Sequence, residues 1–280
     1  MDLTRSSQQR KTVVSGIRLR LGERSLIILL APLIILFLLF LTLPVVSLFL
    51  RITPEAFFES LQNPVVLDAL FLSLVTATAS LGIVIVMGTP LAYLNARTNY
   101  RGKEIVDTLI DLPIVMPPAV AGIALLMAFG RRGVIGEYLS VFGIQIAFTT
   151  LAVVFAQVFV SSPFYIRQAR ASFASVERVY EDAARTLGAG RLRVFLRVTV
   201  PLAWAGLVSG AILTFARALG EFGATIMFAG NFQGRTQTMP LAIYTTMQGE
   251  LNDALCLAII LVVISFAVIL LVKYITRRPI

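Results

Sequence analysis

The chain has 280 residues, of which 58% are hydrophobic and only 14% are charged, and its mean hydropathy is +0.87. A soluble core cannot bury so much apolar surface, so the composition excludes an ordinary soluble domain and predicts a polytopic membrane protein. The net charge of +9 is better explained by basic loops retained on one side of a membrane than by nucleic acid binding.

The residue inventory excludes several kinds of catalytic and metal site. The sequence has no histidine and one cysteine, so disulfide frameworks, zinc sites and histidine-based acid–base catalysis are excluded. The only Gly-Lys pair, Gly102–Lys103, is followed by Glu104, and no phosphate loop of the form G-x-x-x-x-G-K-S/T is present. We expect no catalytic residue, no metal and no cofactor on this chain. Active transport would need a partner ATPase or an ion gradient.

Apolar runs predict an all-α fold with six transmembrane helices. Residues 1–24 form a basic leader, and residues 25–65 contain the first span and an outer loop. The first apolar run, 25–50, is longer than a signal-peptide core and long enough to cross a bilayer. Prolines 113, 117 and 118 open the third span, where a bend is tolerated. The five further spans are expected at about 66–95, 107–129, 146–168, 200–229 and 253–274.

The basic residues predict the orientation of these spans. Most of the 24 Lys and Arg residues lie in the leader, in the 96–106 loop, between the fourth and fifth spans, and at the C-terminus. The alternate loops hold only Arg51, Arg131, Arg132 and Arg235. Because Lys and Arg are enriched in cytoplasmic loops, both termini are predicted to be cytoplasmic.

The segment 176–201 is the longest polar stretch after the leader, and it begins with an amphipathic pattern. Apolar or small side chains recur there at helical spacing: Val176, Val179, Tyr180, Ala183, Ala184 and Leu187. The charged residues fall largely on the opposite face, and Gly188 and Gly190 supply helix-ending positions. The pattern predicts a short helix whose apolar strip occupies a groove of a partner or lies on the lipid surface.

The same segment carries a recognisable motif. Residues 182–184 (DAA), Gly188 and residues 198–201 (VTVP) follow the spacing E-A-A-x3-G-x9-I-x-L-P, with Asp for Glu and Val for Ile and Leu. This resembles the permease subunits of ABC importers, where the segment forms a coupling helix that docks into the ATPase subunit. The resemblance implies a MetI-like permease fold over 66–280, with the coupling helix near 172–190. The residues that it assigns to ATPase coupling are Val179, Glu181, Asp182, Ala183, Ala184, Leu187 and Gly188.

Two further runs are similar to one branch of that family. Residues 217–231 (RALGEFGATIMFAGN), with 234–240 after them, and 112–122 (LPIVMPPAVAG) are similar to molybdate permeases. Tungstate permeases are close relatives, and sulfate/thiosulfate permeases share the Arg-Ala-x-Gly-Glu-Phe-Gly part. The resemblance implies an importer of a tetrahedral oxyanion in the cell membrane. Its expected partners are a second copy of the chain, cytoplasmic ATPase subunits that bind ATP and Mg, and an external oxyanion-binding protein.

Two charged residues, Arg217 and Glu221, lie inside the predicted fifth span. They are four residues apart and so share a helix face, on which they can pair. Charges inside spans are costly and are often functional. Two interpretations stay open and are compatible: a buried pair that fixes helix packing, or a polar lining or gate of the anion path, to which Thr225 and Asn231 would also belong.

Two other function classes compete with the ATP-driven importer. A secondary transporter driven by ions or membrane potential would need an ionisable relay within its spans, for which we expect only Arg217 and Glu221. A membrane-embedded enzyme is disfavoured because histidines and metal ligands are missing.

Overall fold

The computed structural model describes residues 30–276, and within that range the regular structure is helical, with no strand. The predicted basic leader, 1–24, and the last four residues lie outside the described residues. The chain divides into two units, Met1–Arg51 and Ile52–Ile280. The described helix of the first unit is α1, Leu30–Arg51, whose 22 residues are long and apolar enough to cross a membrane.

The second unit contains the other helices. They are α2 (Pro54–Ser60), α3 (Pro64–Arg97), α4 (Lys103–Val115), α5 (Pro118–Phe129), α6 (Gly136–Val141), α7 (Thr150–Ser175), α8 (Arg178–Thr186), α9 (Arg191–Val194), α10 (Val200–Leu219), α11 (Gly223–Ala229), α12 (Met239–Thr246) and α13 (Leu251–Thr276). A π-helical turn, Phe195–Thr199, joins α9 to α10, so that Arg191–Leu219 is one continuous span.

The predicted third span, 107–129, is not one helix. It consists of α4 and α5, whose axes are bent by 117° at Met116 and Pro117. Met116 is extended, with φ −66° and ψ 132°, as expected for a residue that precedes proline. Pro117 and Pro118 lack the N–H groups that would continue the α4 hydrogen-bond ladder.

The bent pair nevertheless carries the chain across the membrane. The last residue of α3, Arg97, donates from Nη2 to the carbonyl oxygen of Val176, which directly follows α7, at 3.0 Å. Because α3 and α7 end at the same side, the chain must return between them to the start of α7. With α4 and α5 counted as one span, residues 30–276 contain six segments long and apolar enough to be the six predicted spans.

Two other spans differ from the predicted limits. The fifth predicted span, 200–229, ends at Leu219, and α11 follows after the break Gly220–Phe222. Sequence hydropathy missed this break because the residues on both sides of it are apolar. The fourth span continues to Ser175, so Arg170 lies on the same helix as Arg167 and not in a loop.

Helix α7 is central, and it packs against α3 and α10. Buried side chains from the three helices form one apolar cluster that includes Val84, Ile166, Phe173, Ala203 and Leu207. A second cluster joins α5, α7 and α11, and a third joins α3, α10, α12 and α13. Helix α7 therefore connects the end of the bundle that carries α8 to the end that carries α11.

The crossing of α5 and α11 depends on a glycine, and this generates a prediction. A Cβ at Gly122 would lie 2.6 Å from Met227 Cβ and 2.7 Å from the Ala224 carbonyl oxygen. We expect Gly122→Ala to lower the thermal unfolding temperature of the purified chain, because overpacking costs about 1–3 kcal/mol.

The matched control is Gly82→Ala in α3, where nothing lies within 4 Å of the added Cβ. Alanine favours a helix over glycine by about 1 kcal/mol, so this variant should unfold at the same or a higher temperature. Equal unfolding temperatures of the two variants would contradict the close packing of α5 on α11.

Candidate functional site

The short helix of the predicted coupling segment is α8, Arg178–Thr186. It starts two residues later than the sequence pattern suggested, because Val176 and Glu177 are extended. Two residues after its last residue, Gly188 terminates the helix with a φ of +84°, a value that favours glycine. Gly188 N–H donates to the Arg185 carbonyl at 2.9 Å, and Ala189 N–H donates to that of Ala184 at 3.0 Å. This is a Schellman end, whereas Gly190, at φ −66°, is not left-handed.

One face of α8 presents apolar side chains to the surface. Val179 and Leu187 are 60% and 89% exposed, Ala183 is also exposed, and Ala184 is partly buried. Asp182 is exposed beside them and pairs with Arg185, Oδ1 to Nη1, at 3.3 Å. Apolar side chains grouped on so short a helix form the kind of patch that usually binds a partner.

Glu181, which the sequence places on the polar face, is instead buried, with 3% of its surface exposed. Its Oε1 accepts hydrogen bonds from Arg97 Nε and Nη2, at 3.1 and 2.8 Å, and from Thr199 Oγ1 at 2.8 Å. Sequence reasoning missed Arg97 and Thr199 as its partners because they lie 84 and 18 positions away, outside any local spacing rule. The one feature of the sequence that could have drawn attention to Glu181 is its place directly before the motif residue Asp182.

The Arg217–Glu221 pair forms, as the spacing predicts, at the C-terminal end of α10, away from α8. Arg217 Nη1 lies 2.7 Å from Glu221 Oε2, and the two side chains are 31% and 2% exposed. Glu221 Oε1 also accepts from the backbone N–H of Ala224 at 2.8 Å, which caps the start of α11. Both carboxylate oxygens therefore have partners, and Glu221 joins α10 to α11 across the break.

Arg217 also lines a small cavity beside the break between α4 and α5. The cavity has a volume of about 130 Å³, and its walls include Pro113, Met116 and Pro118 as well as Val160 and Phe164 of α7. Arg217 is the only charged residue in this lining. A guanidinium that is paired on one side and open to a cavity on the other can still attract an anion, at reduced strength.

The other two predicted path residues lie beyond this pair. Thr225 is fully buried in α11, and its Oγ1 has no hydrogen-bond partner among the described residues. Asn231 donates from Nδ2 to Thr245 Oγ1 at 2.8 Å, while its Oδ1 is buried and unpartnered within the described range. The structure thus joins Arg217 to Glu221, and among residues 30–276 it gives no hydrogen bond that links Thr225 or Asn231 to them.

The expectation that Arg217 and Glu221 are the only ionisable residues within the spans is wrong. Helix α4 carries Asp107 and Asp111, which pair with arginines of α7. Arg170 Nη1 lies 2.7 Å from Asp107 Oδ1, and Arg167 Nε lies 3.3 Å from Asp111 Oδ1. The spacing of the two aspartates, four residues apart on one helix face, could have revealed them. Each aspartate is paired to an arginine. Among residues 30–276 no group of acidic and cysteine side chains could hold a metal ion.

Residues 85–280 match the sequence family described as the inner membrane component of binding-protein-dependent transport systems. The chain belongs to this family. It is 45% identical over 231 residues to the molybdenum transport system permease protein ModB of Mycobacterium tuberculosis, covering 82% of this chain and 88% of that one. It is 41% identical over 231 residues to the probable transport system permease protein NifC of Clostridium pasteurianum, covering 82% and 81%. Escherichia coli ModB is 41% identical over 213 residues, covering 75% and 93%.

Solved structures show the same fold at lower identity. A bacterial ABC transporter involved in the import of the acidic polysaccharide alginate matches with a TM-score of 0.69 and 18% identity, covering 98% of both chains. The inward-facing MetNI methionine ABC transporter matches with a TM-score of 0.56 and 19% identity, covering 76% of this chain and 97% of that one. The predicted all-α fold of an ABC importer permease is confirmed.

The two roles of Glu221 generate a prediction about stability. Glu221→Ala removes both the ion pair and the cap of α11. We expect a lower unfolding temperature in detergent, because loss of a helix cap alone costs about 0.5–2 kcal/mol. Glu221→Gln, which keeps an acceptor for the Ala224 N–H, should lie between this variant and the unaltered chain.

Glu59→Ala is the matched control, because the Glu59 side chain is exposed on α2. Thermal unfolding of the three variants, followed by circular dichroism, measures the difference. Unfolding of Glu221→Ala at the temperature of Glu59→Ala would show that the bridge between α10 and α11 does not stabilise the fold.

Proposed function

We propose that this chain is the transmembrane permease subunit of an ATP-driven importer of molybdate. The observation that carries the proposal is the 45% identity to a molybdenum transport system permease over 82% of the chain. The similarity to several proteins of that name in different bacteria, and the runs at 112–122 and 217–240, support the same substrate class. Tungstate and sulfate are the rival anions.

The proposed complex contains a second copy of the chain, two ATPase subunits and an external oxyanion-binding protein. The family description, a membrane component that depends on a binding protein, supports the last of these. A solved relative, with a TM-score of 0.68, is an alginate ABC transporter in complex with a ligand-bound periplasmic protein. In this proposal the chain lies in the cell membrane with both termini in the cytoplasm. ATP and Mg bind the ATPase subunits, and this subunit catalyses no covalent chemistry.

The proposed cycle is mechanical. Closure of the ATPase subunits around ATP displaces α8, whose exposed residues Val179, Ala183 and Leu187 fit a hydrophobic groove of that partner. The spans then reorient, so that the path opens outward to receive the anion, and hydrolysis resets it inward. Arg217 and Glu221 form a nearly neutral ion pair beside the path. The pairing matters because an unpaired arginine would hold the anion too tightly for release.

Substrate choice is tested by uptake into cells that carry the whole transport system. We expect accumulation of molybdate to exceed that of sulfate when each anion is supplied alone at the same concentration, with tungstate as the closest competitor. Cells that lack only this chain are the control. Preferential uptake of sulfate would contradict the molybdate proposal, and ATP-independent uptake would contradict the importer class.

The contact with the ATPase is tested by substitution on the exposed face of α8. Ala183→Arg places a long charged side chain where close approach is proposed, so the ATPase subunit should no longer co-purify, although the permease still inserts into the membrane. Ala174→Arg makes the same change at an exposed alanine near the end of α7 and should leave the complex intact. Intact complexes with full uptake for Ala183→Arg would refute the coupling role of α8.

A further inference from the structure

The buried face of α8 is attached to two other parts of the bundle through one carboxylate, and through Arg97 to a third. We call Arg97, Val176, Glu181 and Thr199 the Glu181 node. Arg97 is the last residue of α3, Val176 directly follows α7, and Thr199 ends the π-helical turn before α10. The side chains of Arg97 and Glu181 are 10% and 5% exposed, so the node is largely shielded from water.

The geometry of the node is specific to arginine. Two guanidinium nitrogens, Nε and Nη2, donate to the same oxygen of Glu181, at 3.1 and 2.8 Å. Nη2 also donates to the carbonyl oxygen of Val176 at 3.0 Å. In return, Arg178 of α8 donates from Nη2 to the carbonyl oxygen of Arg97 at 3.2 Å. A planar fork held at several points fixes an orientation as well as a distance, so α8 cannot turn about Glu181 without moving the end of α3.

Thr199 extends the same attachment to α10. Its Oγ1 is fully buried and donates to Glu181 Oε1 at 2.8 Å. The turn that it ends, Phe195–Thr199, is π-helical. Such turns are less stable than α-helix and are frequent at functional sites. The node therefore joins α8 to α10 at the point where the backbone of that span deviates from regular α-helix.

Stability alone is a poor explanation of this arrangement. A buried ion pair is often no more stable than apolar side chains of the same volume, because both charges lose their hydration. What the pair provides in addition is direction: each bond constrains the angle between α8 and a span. The exposed face of α8 is free for a partner, while the buried face is tied to α3, α7 and α10.

We propose that the Glu181 node is the joint through which displacement of α8 moves α3 and α10, and that Arg97 and Thr199 are positioning residues for this coupling. The proposal rests on the proposed function, since it requires an ATPase that moves α8. It adds Arg97, which lies outside the coupling motif on a span distant in sequence, and Thr199, which occupies a position of the motif that its pattern leaves unspecified. Loss of the joint should leave ATP hydrolysis running while anion movement fails.

The test uses the whole complex, with its ATPase and binding protein, reconstituted in lipid vesicles. Molybdate uptake and ATP hydrolysis are measured together, and their ratio is compared between variants. Arg97→Met keeps the apolar stem of the side chain and removes the fork. We expect it to lower molybdate transported per ATP by about tenfold, within the range in which single residues alter coupling between distant sites.

Arg101→Met is the matched control, because Arg101 is exposed in the loop that follows α3. Its ratio of transport to hydrolysis should equal that of the unaltered complex.

A second variant separates coupling from folding. Arg97→Met/Glu181→Leu removes both charges, so no unpaired charge is left buried, and its unfolding temperature should recover relative to Arg97→Met. Its ratio of transport to hydrolysis should stay low, because the bond from Arg97 to Val176 is still absent and the bond from Thr199 to Glu181 is lost as well.

The outcomes are distinct. If the double variant recovers both stability and transport per ATP, or if Arg97→Met transports as much per ATP as the control, the node is structural only and the proposal is overturned. If the unaltered complex shows no ATP-dependent uptake, the proposed function fails and the joint fails with it. A low ratio in both variants, with normal transport by the control, supports the joint.

Discussion

A backbone N–H or C=O group within the hydrocarbon of a membrane must find its partner inside the protein. Among residues 30–276, two breaks interrupt predicted spans, Met116–Pro117 within the third and Gly220–Phe222 within the fifth. The interruptions lie against each other: a Cβ at Gly223 would overlap Pro118, and α5 packs on α11. Prolines at the first break and the Glu221 cap at the second reduce the number of unsatisfied groups. The two breaks thus form one protein-lined region, and the cavity beside Arg217 lies next to it.

A buried glutamate joins neighbouring helices at each end of the bundle. At one end, Glu181 joins a surface helix to Arg97 of α3 and to Thr199 before α10, and Arg97 extends the contact to the end of α7. At the other, Glu221 ties α10 to the short helix that follows it. Each carboxylate accepts from an arginine and from a second donor, which is what a buried charge requires. The span that runs between them, Arg191–Leu219, therefore has a fixed attachment at each end and a weaker π-helical turn near one of them.

Most of the architecture follows from local sequence, and most of the side-chain network does not. Apolar runs of bilayer length predicted the spans, and the glycine at 188 predicted the end of α8, because length and backbone conformation are local properties. The burial of Glu181 escaped because an amphipathic pattern identifies an apolar face, and it does not identify which polar residue has a buried partner. Its arginine comes from another span. The pair of Asp107 escaped because the fourth span was ended too early, at 168, which left Arg170 outside it; the pair of Asp111 escaped because its partner Arg167 lies on a different span.

The double use of Glu221 couples two requirements that usually vary separately. The carboxylate neutralises Arg217 and also accepts from the backbone at the start of α11. Any substitution that changes its charge therefore also changes how α11 begins. Loss of the arginine leaves the start of α11 in place and one buried carboxylate without its charge partner. Loss of the acid removes both the partner of Arg217 and the acceptor at the start of α11. The acidic position thus carries two constraints and the arginine one, independently of what the transporter carries.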